Sequence, residues 1–467
     1  MTKTRTKRIA SVLAVSTAAA LIAGACGSKK TEETTTTAAA TETTAAAPET
    51  TAAATETTAA ATETTAAGTT APATLNEMLG IKNDLSAVSC NVGAVLALTG
   101  PGSFYGKTMT AGINVGVEAI KAAGGPALNF EFWDHKSGDP AAGVTAMTEM
   151  VSKGISVKLA SYVDDLGAML GDTAKNHVFT LDGGGGTSIF GQGVPFFWGT
   201  RAITPNDTLP GVFQWFKETY PDKKTVGVIG WDLGGDLNKL IKDDFLAKVA
   251  AAGLEFNELY ELNAVGATDY AQSISKIKAN EPDLLLVAIY GQDPGLFANQ
   301  AATAGIKSVQ VGSEFTPDGV NASKGTWEQG WTFAYDFFDA NSATLNPLAK
   351  LFVDGFKAAN DGGLPDFYAA NFFENTVRLW QLMDRAKTAG VADDKLCTGD
   401  ALEAQMEADS TLSSVYGGSP TEVGTSSHDA KTHSVSKRPM GIFTYKAGAV
   451  TALAYFGIGG EGYTKAG

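Results

Sequence analysis

The sequence predicts an α/β protein made of two doubly wound parallel-sheet units in series. Three observations point to it. Apolar runs of strand length alternate with segments of helical spacing over most of the chain. One run, LLLVAIY at 284–290, is continuously apolar, as in a strand buried on both faces. The alternation also occurs twice, once before about residue 205 and once after it.

The first series opens with VGAVLAL (92–98), followed by a helix to about Ala123. LNFEFWD (128–134) leads to a helix after Asp139-Pro140, where Asp caps the helix and Pro suits its first turn. VKLASY (157–162) precedes a helix near 167–176, and VFTLD (178–182) precedes a glycine run. The second series starts at TVGVIGWD (225–232). Its helix, 235–252, places Leu237, Leu240, Ile241, Phe245 and Val249 on one face. EFNELYEL, a helix over 269–279, the run LLLVAIY, a helix to Gly305 and the strand SVQVGSE complete the unit. After residue 335 come two strong helices, NPLAKLFVDGFKAAN and FYAANFFENTVRLWQLMDRAKTAG. The Ser/Gly/His-rich stretch 410–438 reads as loop, and IFTYKAG with VTALAYFGI reads as a hairpin turning at Lys446–Gly448.

The N-terminal residues carry an address. Lys3, Arg5, Lys7 and Arg8 precede an apolar stretch of about fifteen residues, too short for a comfortable membrane span but suited to a secretory signal over 1–25. It ends in AGAC, which resembles the lipobox of bacterial lipoproteins and implies lipidation of Cys26; a plain signal peptide cut nearby is the alternative. Residues 26–74 are rich in Thr, Ala and Glu. The unit ETTAAA recurs with glutamates at 42, 49, 56 and 63, but this heptad period has no large apolar residue for a coiled-coil seam. Such a composition cannot bury enough surface to offset chain entropy, so it reads as a disordered tether with a reach on the order of 35–40 Å.

The net charge of −15 argues against nucleic acid or an anionic membrane surface as partner. The chain has three cysteines. With Cys26 lipidated, Cys90 and Cys397 remain as an even pair, read as a disulfide or as two buried thiols.

The stretch GPGSFYGKT (100–108) is a near miss to a phosphate-binding loop. Pro101 stands where the first glycine is needed and removes a backbone N–H. Outside the membrane a nucleotide is also the wrong partner. Other enzyme signatures are missing: GTSIF (186–190) fails as a nucleophile elbow, and the four histidines form no HExxH or CxxC-type site. The adjacent Asp164 and Asp165 point in different directions and lack a clear partner for glycoside hydrolysis. No catalytic residue, metal site or cofactor is expected.

Residues 88–460 resemble the leucine/isoleucine/valine-type solute-binding proteins of ABC transporters, with the type I periplasmic-binding fold. The landmarks come in order: LALTGPGSFYGKTMTAGINVGVEAIKAAGG, FWDHKSGDPAAGVTAMTEMVSKG, PFFWGTRAITPND and GATDYAQSISKIKANEPDLLLVAIYGQDPGLFANQAATAGI. The resemblance implies two lobes joined by three crossings: 88–205 plus 335–430, and 206–334 plus 431–467. It also implies a small-molecule solute held between the lobes and an ABC permease as partner; the protein is expected to be monomeric, and the lipobox-like AGAC to tie it to the outer face of the membrane only by its lipid.

Ligands of open parallel sheets bind beyond the carboxyl ends of the strands. The expected ligand-binding residues therefore lie in the loops after each strand. In the first lobe they are Ser103, Tyr105, Asp164, Asp165, Asp182, Gly183, Gly185 and Thr187; in the second, Trp231, Tyr290, Gln292 and Glu314. Tyr105 would stack on or cover the solute, unless GPGSFYG only serves close helix–strand packing. One of Asp164 and Asp165 could simply cap the following helix. The glycines of LDGGGGTS would offer N–H groups, unless they form only a flexible loop near a hinge. Gly234 stands where the resembled pattern often has an aromatic residue, and Asp164–Asp165 replace its serine and glycine, so branched-chain specificity does not carry over. With Asp293 included, the cleft reads as acidic and suited to a zwitterion, amine or amide. The function expected is capture of such a solute for an ABC importer. A ligand sensor for a signalling receptor is the second reading and a hydrolase the third.

Overall fold

The computed structural model describes residues 73–466, apart from 162, 185–192 and 203–205 and the side chains of 163–166. The expectations for the signal, Cys26 and the tether, for Gly185 and Thr187, and for the Asp164 and Asp165 carboxylates lie outside the described residues.

Helix α1 (Leu75–Leu79), closed by a capping box between Thr74 and Glu77, precedes the first sheet. That sheet is built from β1 (Ser89–Leu96), β2 (Ala127–Asp134), β3 (Val157–Ala160), β4 (Phe179–Asp182) and β5 (Phe197–Gly199). All are parallel, in the order β2-β1-β3-β4-β5. Helices α2 (Ser103–Ala122), α3 (Pro140–Ser152) and α4 (Val163–Lys175) make the crossovers. Asp139 caps α3 by accepting from the Ala141 and Ala142 amides, with Pro140 in the first turn, as the sequence predicts. Helix α4 begins earlier than the 167 its pattern suggests.

The second unit runs α5 (Leu209–Thr219), β6 (Thr225–Trp231), α6 (Gly235–Ala251), β7 (Glu255–Asn263), α7 (Ala271–Ala279), β8 (Leu284–Ala288), α8 (Asp293–Ala304), β9 (Val309–Gly312), α9 (Pro317–Ala322) and β10 (Trp331–Asp336). The chain then returns to the first sheet with α10 (Pro347–Ala359), α11 (Phe367–Thr388) and α12 (Gly399–Ala408), followed by the strands β11 (Leu412–Ser419) and β12 (Glu422–Ser426). It ends with β13 (Pro439–Lys446), β14 (Ala449–Gly457) and β15 (Thr464–Lys465), which complete the second sheet in the order β15-β14-β13-β10-β9-β8-β6-β7. Strands β6 to β10 are parallel neighbours, and β13 joins β10 antiparallel.

Both faces of each sheet are covered, which is why β8 reads as an unbroken apolar run and why every residue of β3 and β4 is buried. On one face of the first sheet, Val92, Leu159 and Leu181 pack with Phe352, Phe372 and Leu379. On the other, Val95 and Phe197 pack with Met147, Met150 and Met169. Helix α11 is buried on nearly every side and lies against α2. Gly112 and Gly116, one turn apart, make this approach possible. A Cβ on the first would sit 2.2 Å from the Ala369 carbonyl oxygen, and on the second 2.8 Å from Thr376.

Two expectations need correction. The stretch 410–438 is not all loop: β11 and β12 form an antiparallel hairpin. Its polar strand residues are held by α11, where Gln381 accepts from the Ser413 amide at 3.0 Å and Glu374 from the Val415 amide at 2.9 Å. Its apolar anchors are Leu412, Val415 and Tyr416, with Val423 partly buried against the same cluster. Helix α6 likewise does not bury the whole predicted stripe. Phe245 and Val249 are buried, but Leu240 is 42% exposed, because only the C-terminal half of the helix packs on the sheet.

Cys90, at the start of β1, is joined by a disulfide to Cys397 ahead of α12, with a Cα–Cα distance of 5.3 Å.

Candidate functional site

Each sheet has a topological switch point, where neighbouring strands feed helices on opposite faces. In the first it lies between β1 and β3, in the second between β6 and β8. The residues that follow these strands come together around one carboxylate, that of Glu314.

Glu314 follows β9 and is 1% exposed. The Tyr105 hydroxyl, from the first turn of α2, donates to its Oε1 at 2.5 Å. The Tyr368 hydroxyl, from the first turn of α11, donates to Oε2 at 2.9 Å. The Gly291 amide donates to Oε1 and, at 2.9 Å, to the Tyr105 oxygen. Helices of the first sheet thus reach a strand end of the second. The two phenol rings meet edge to face at 4.9 Å. Burial pushes the Glu314 carboxyl up; the hydrogen bonds from Tyr105, Gly291 and Tyr368 and the nearby Arg201 charge act against this without cancelling it.

Beside this cluster, the Trp231 and Tyr290 rings lie 5.1 Å apart at the ends of β6 and β8. The Trp231 indole donates to Asp293 Oδ2 at 2.9 Å, and the Gly266 amide donates to the same oxygen at 3.1 Å. Asp293 is 2% exposed, and its carboxyl is raised by burial, with these donors and Tyr270 opposing. Asp293 therefore orients Trp231.

Below the cluster, three chain crossings run side by side. The Gly199 amide bonds to the His433 carbonyl, the Val435 amide to the Gly199 carbonyl, and the Phe337 amide to the Pro439 carbonyl. Arg438 ties them together. It donates to Glu374 Oε2 at 3.1 Å and to the Thr200 carbonyl, faces Asp336 at 3.9 Å, and stacks 4.0 Å over the Tyr416 ring. Arg378 bonds to the Ser413 carbonyl and the Ser426 hydroxyl and pairs with Glu374 at 3.3 Å. Burial alone would raise the Glu374 carboxyl, but Arg378 and Arg438 outweigh it and hold the group below its ordinary value.

Two switch points facing across three crossings is the arrangement of a two-lobed binding protein. Residues 89–449 match the family described as periplasmic binding protein. The chain belongs to the periplasmic binding protein family. A leucine-, isoleucine-, valine-, threonine- and alanine-binding protein of Pseudomonas aeruginosa is 25% identical over 280 residues, 56% of this chain and 69% of that one. The leucine-binding protein LivK of Thermotoga maritima shares the fold with a TM-score of 0.65 and 16% identity, covering 78% of this chain and 98% of that one. An R. palustris ABC-transporter solute-binding protein in complex with benzoate has a TM-score of 0.62 and 19% identity over 81% and 98%.

In this binding protein, Tyr105, Tyr290, Trp231 and Glu314 gather at the facing strand ends. Ser103 and Gln292 lie exposed on the rims of α2 and α8. Asp182 and Gly183 sit inside the first unit. Asp182 Oδ1 accepts from the Gly184 amide at 2.6 Å, and a Cβ on Gly183 would meet the Phe372 ring at 2.4 Å, so packing against α11 demands that glycine. The GPGSFYG turn is tied from behind: Ser137 accepts from the Gly102 amide at 2.8 Å and donates to the Thr99 carbonyl at 2.6 Å. A Cβ on Gly106 would lie 2.0 Å from the Ala97 carbonyl, so this glycine serves close helix–strand packing while its neighbour Tyr105 reaches Glu314. Of the carboxylates expected to make the cleft acidic, Asp293 and Glu314 are each held by internal donors.

Sequence reasoning missed Tyr368 and Arg201, whereas Gly291 lies in the expected loop after β8. The signal for Tyr368 was PDFY, in which Asp366 caps α11 by accepting from the Ala369 amide at 2.8 Å and fixes the first turn that carries the tyrosine. Among the described residues no group of three or more His, Cys, Asp or Glu is arranged to hold a metal ion.

Proposed function

We propose that this protein is an extracytoplasmic receptor that captures a small solute, amino-acid-like or an amide or amine, between two lobes and delivers it to an ABC importer. The lobes are 88–205 plus 335–430 and 206–334 plus 431–467. The observation that carries the reading is the Tyr105–Glu314–Tyr368 contact: a buried acceptor of one lobe engages donors of the other at the strand ends where open sheets bind ligands. A solute that touches both lobes stabilises only the closed arrangement, so binding shifts the hinge equilibrium. The permease then recognises the closed form. Cys26 carries the lipid, residues 26–74 act as tether, the protein works as a monomer, and no bond is broken.

The capture reading is tested by a thermal-shift screen over amino acids, amides, amines and small acids. It expects a subset of them to raise the melting temperature; a flat response across the panel rejects it. The anchor is tested separately: wild type should partition with membranes and Cys26→Ala should be released.

A further inference from the structure

The hydrogen bonds around Glu314 join two units that the backbone connects only through three crossings. Among the described residues, Tyr105 to Glu314, Tyr368 to Glu314 and Gly291 to Tyr105 are the hydrogen bonds outside those crossings that link helices of the first sheet to the second. Each side is fixed in advance. The Thr108 hydroxyl of α2 donates to Asp366 Oδ1 at 2.9 Å, and Asp366 also caps α11, so the two phenols are carried as one unit. On the second sheet, the Thr316 hydroxyl donates to the Gly291 carbonyl at 2.8 Å and accepts from the Gly319 amide at 3.0 Å, which holds the Gly291 turn beside the start of α9. An aromatic seam runs alongside. The Phe367 ring of α11 lies 4.7 Å from the Tyr335 ring of β10, and Tyr335 packs against the cores of both sheets. Tyr105, Phe367 and Tyr368 are all buried. A hydrogen bond to an ionised acceptor is stronger than a neutral one, and prepositioned partners lose little freedom in making it. Burial of the Glu314 carboxylate works the other way. These opposing effects leave a balance that one hydroxyl can tip.

We propose that this seam is a built-in latch: the chain draws its lobes together on its own contacts, so that the solute-free protein already populates the closed arrangement, and the Tyr368 hydroxyl sets how much of it is present. The inference rests on the solute-capture reading and adds its regulation. A solute meets a partly closed population, and its apparent affinity scales with that population whatever its chemistry.

The test uses the full chain carrying Cys26→Ala, with nitroxide labels on Lys107→Cys and Asp318→Cys, exposed positions of α2 and α9. The labelled protein is freed of bound solute by dialysis from denaturant, with the disulfide kept oxidised, and label distances are read by pulsed electron spin resonance. The expected result is a distance matching this structure in at least about a tenth of the molecules, beside a longer one. In Y368F, folded by circular dichroism, the ratio of the shorter to the longer distance should fall by about tenfold or more. Y105F removes the other phenol hydroxyl and should act in the same direction, so it carries the test if Y368F does not fold. Wild type that shows only the longer distance overturns the latch, as does a folded variant that leaves the distances unchanged. Each of these results leaves solute capture standing, because capture is read from the thermal-shift panel.

Discussion

A carboxylate out of contact with water needs donors, and Glu314 draws two of its three from phenols on helices of the other lobe. Replacing Tyr368 by Phe removes the hydroxyl that donates to this acceptor and keeps the ring. The expected cost is about 1–3 kcal/mol in chemical denaturation, with packing retained in the near-ultraviolet spectrum. Two histidines give a second expectation. Burial pushes His135 down to about 4 and His428 down to about 3, the latter helped by the Arg378 and Arg438 charges. His428 Nδ1 lies 3.1 Å from the Ser410 carbonyl and donates to it, which leaves Nε2 without its proton. In the unfolded chain these rings take up protons near pH 6.5; in the folded protein they do not. The unfolded state therefore binds more protons as pH falls from about 6.5 toward 3, and stability is lost over that window. Buried carboxylates held above their ordinary values, Glu314 among them, act in the opposite sense. The clean measurement is the difference between wild type and His428→Gln: the variant should lose stability less steeply, by up to about 1.4 kcal/mol per pH unit between pH 6 and 4. At this scale the sequence was legible where a residue type and a strand end coincide, as for Tyr105, Trp231, Tyr290 and Glu314. It was not legible for Arg201, on a crossing that only the tertiary arrangement brings there, and for Tyr368 the PDFY cap marked a helix start but not where that start would lie.

At the scale of elements, apolar runs and turn residues decided most of the reading. LLLVAIY is a central strand because both its faces are covered, and Asp139-Pro140 begins a helix because the side chain and the ring each suit that place. The hairpin β11–β12 escaped because its strand residues are serines and glycines whose partners lie on α11, far along the chain. The Leu240 stripe misled because periodicity gives a face but not how much of it meets the sheet. The Cys90–Cys397 disulfide fixes the start of β1 to the segment ahead of α12 across a separation of 307 residues. Restricting so long a loop in the unfolded chain stabilises the fold by about 2–5 kcal/mol. Thermal melts with and without a strong reductant should therefore differ by several degrees, and Cys397→Ser should melt at the reduced value under both conditions.

For the molecule as a whole, the arginine at the crossings is decisive. Arg438 is fully buried and touches a helix of the first lobe, the end of β10 and the first crossing at once. Arg438→Met keeps much of the volume over Tyr416 but leaves Glu374 with one cation and Asp336 with a distant one. Breaking a buried pair in this way should cost about 3–5 kcal/mol, read from denaturant midpoints. A variant that also changes Glu374 to Gln should recover part of the loss, because the uncompensated charge is then gone.

The order in which the second sheet is assembled sets the timing of folding. Strand β10 finds its outer neighbour only in β13, about a hundred residues later, and β14 and β15 follow at the very end of the described chain. Synthesis runs from the amino terminus, so β10 stays an open edge until β13 has been made. Contacts of such long sequence separation are slow to form. A nascent chain halted ahead of β13 would display that unpaired backbone edge to whatever holds it, and the docking of β13 is the closing step that removes it.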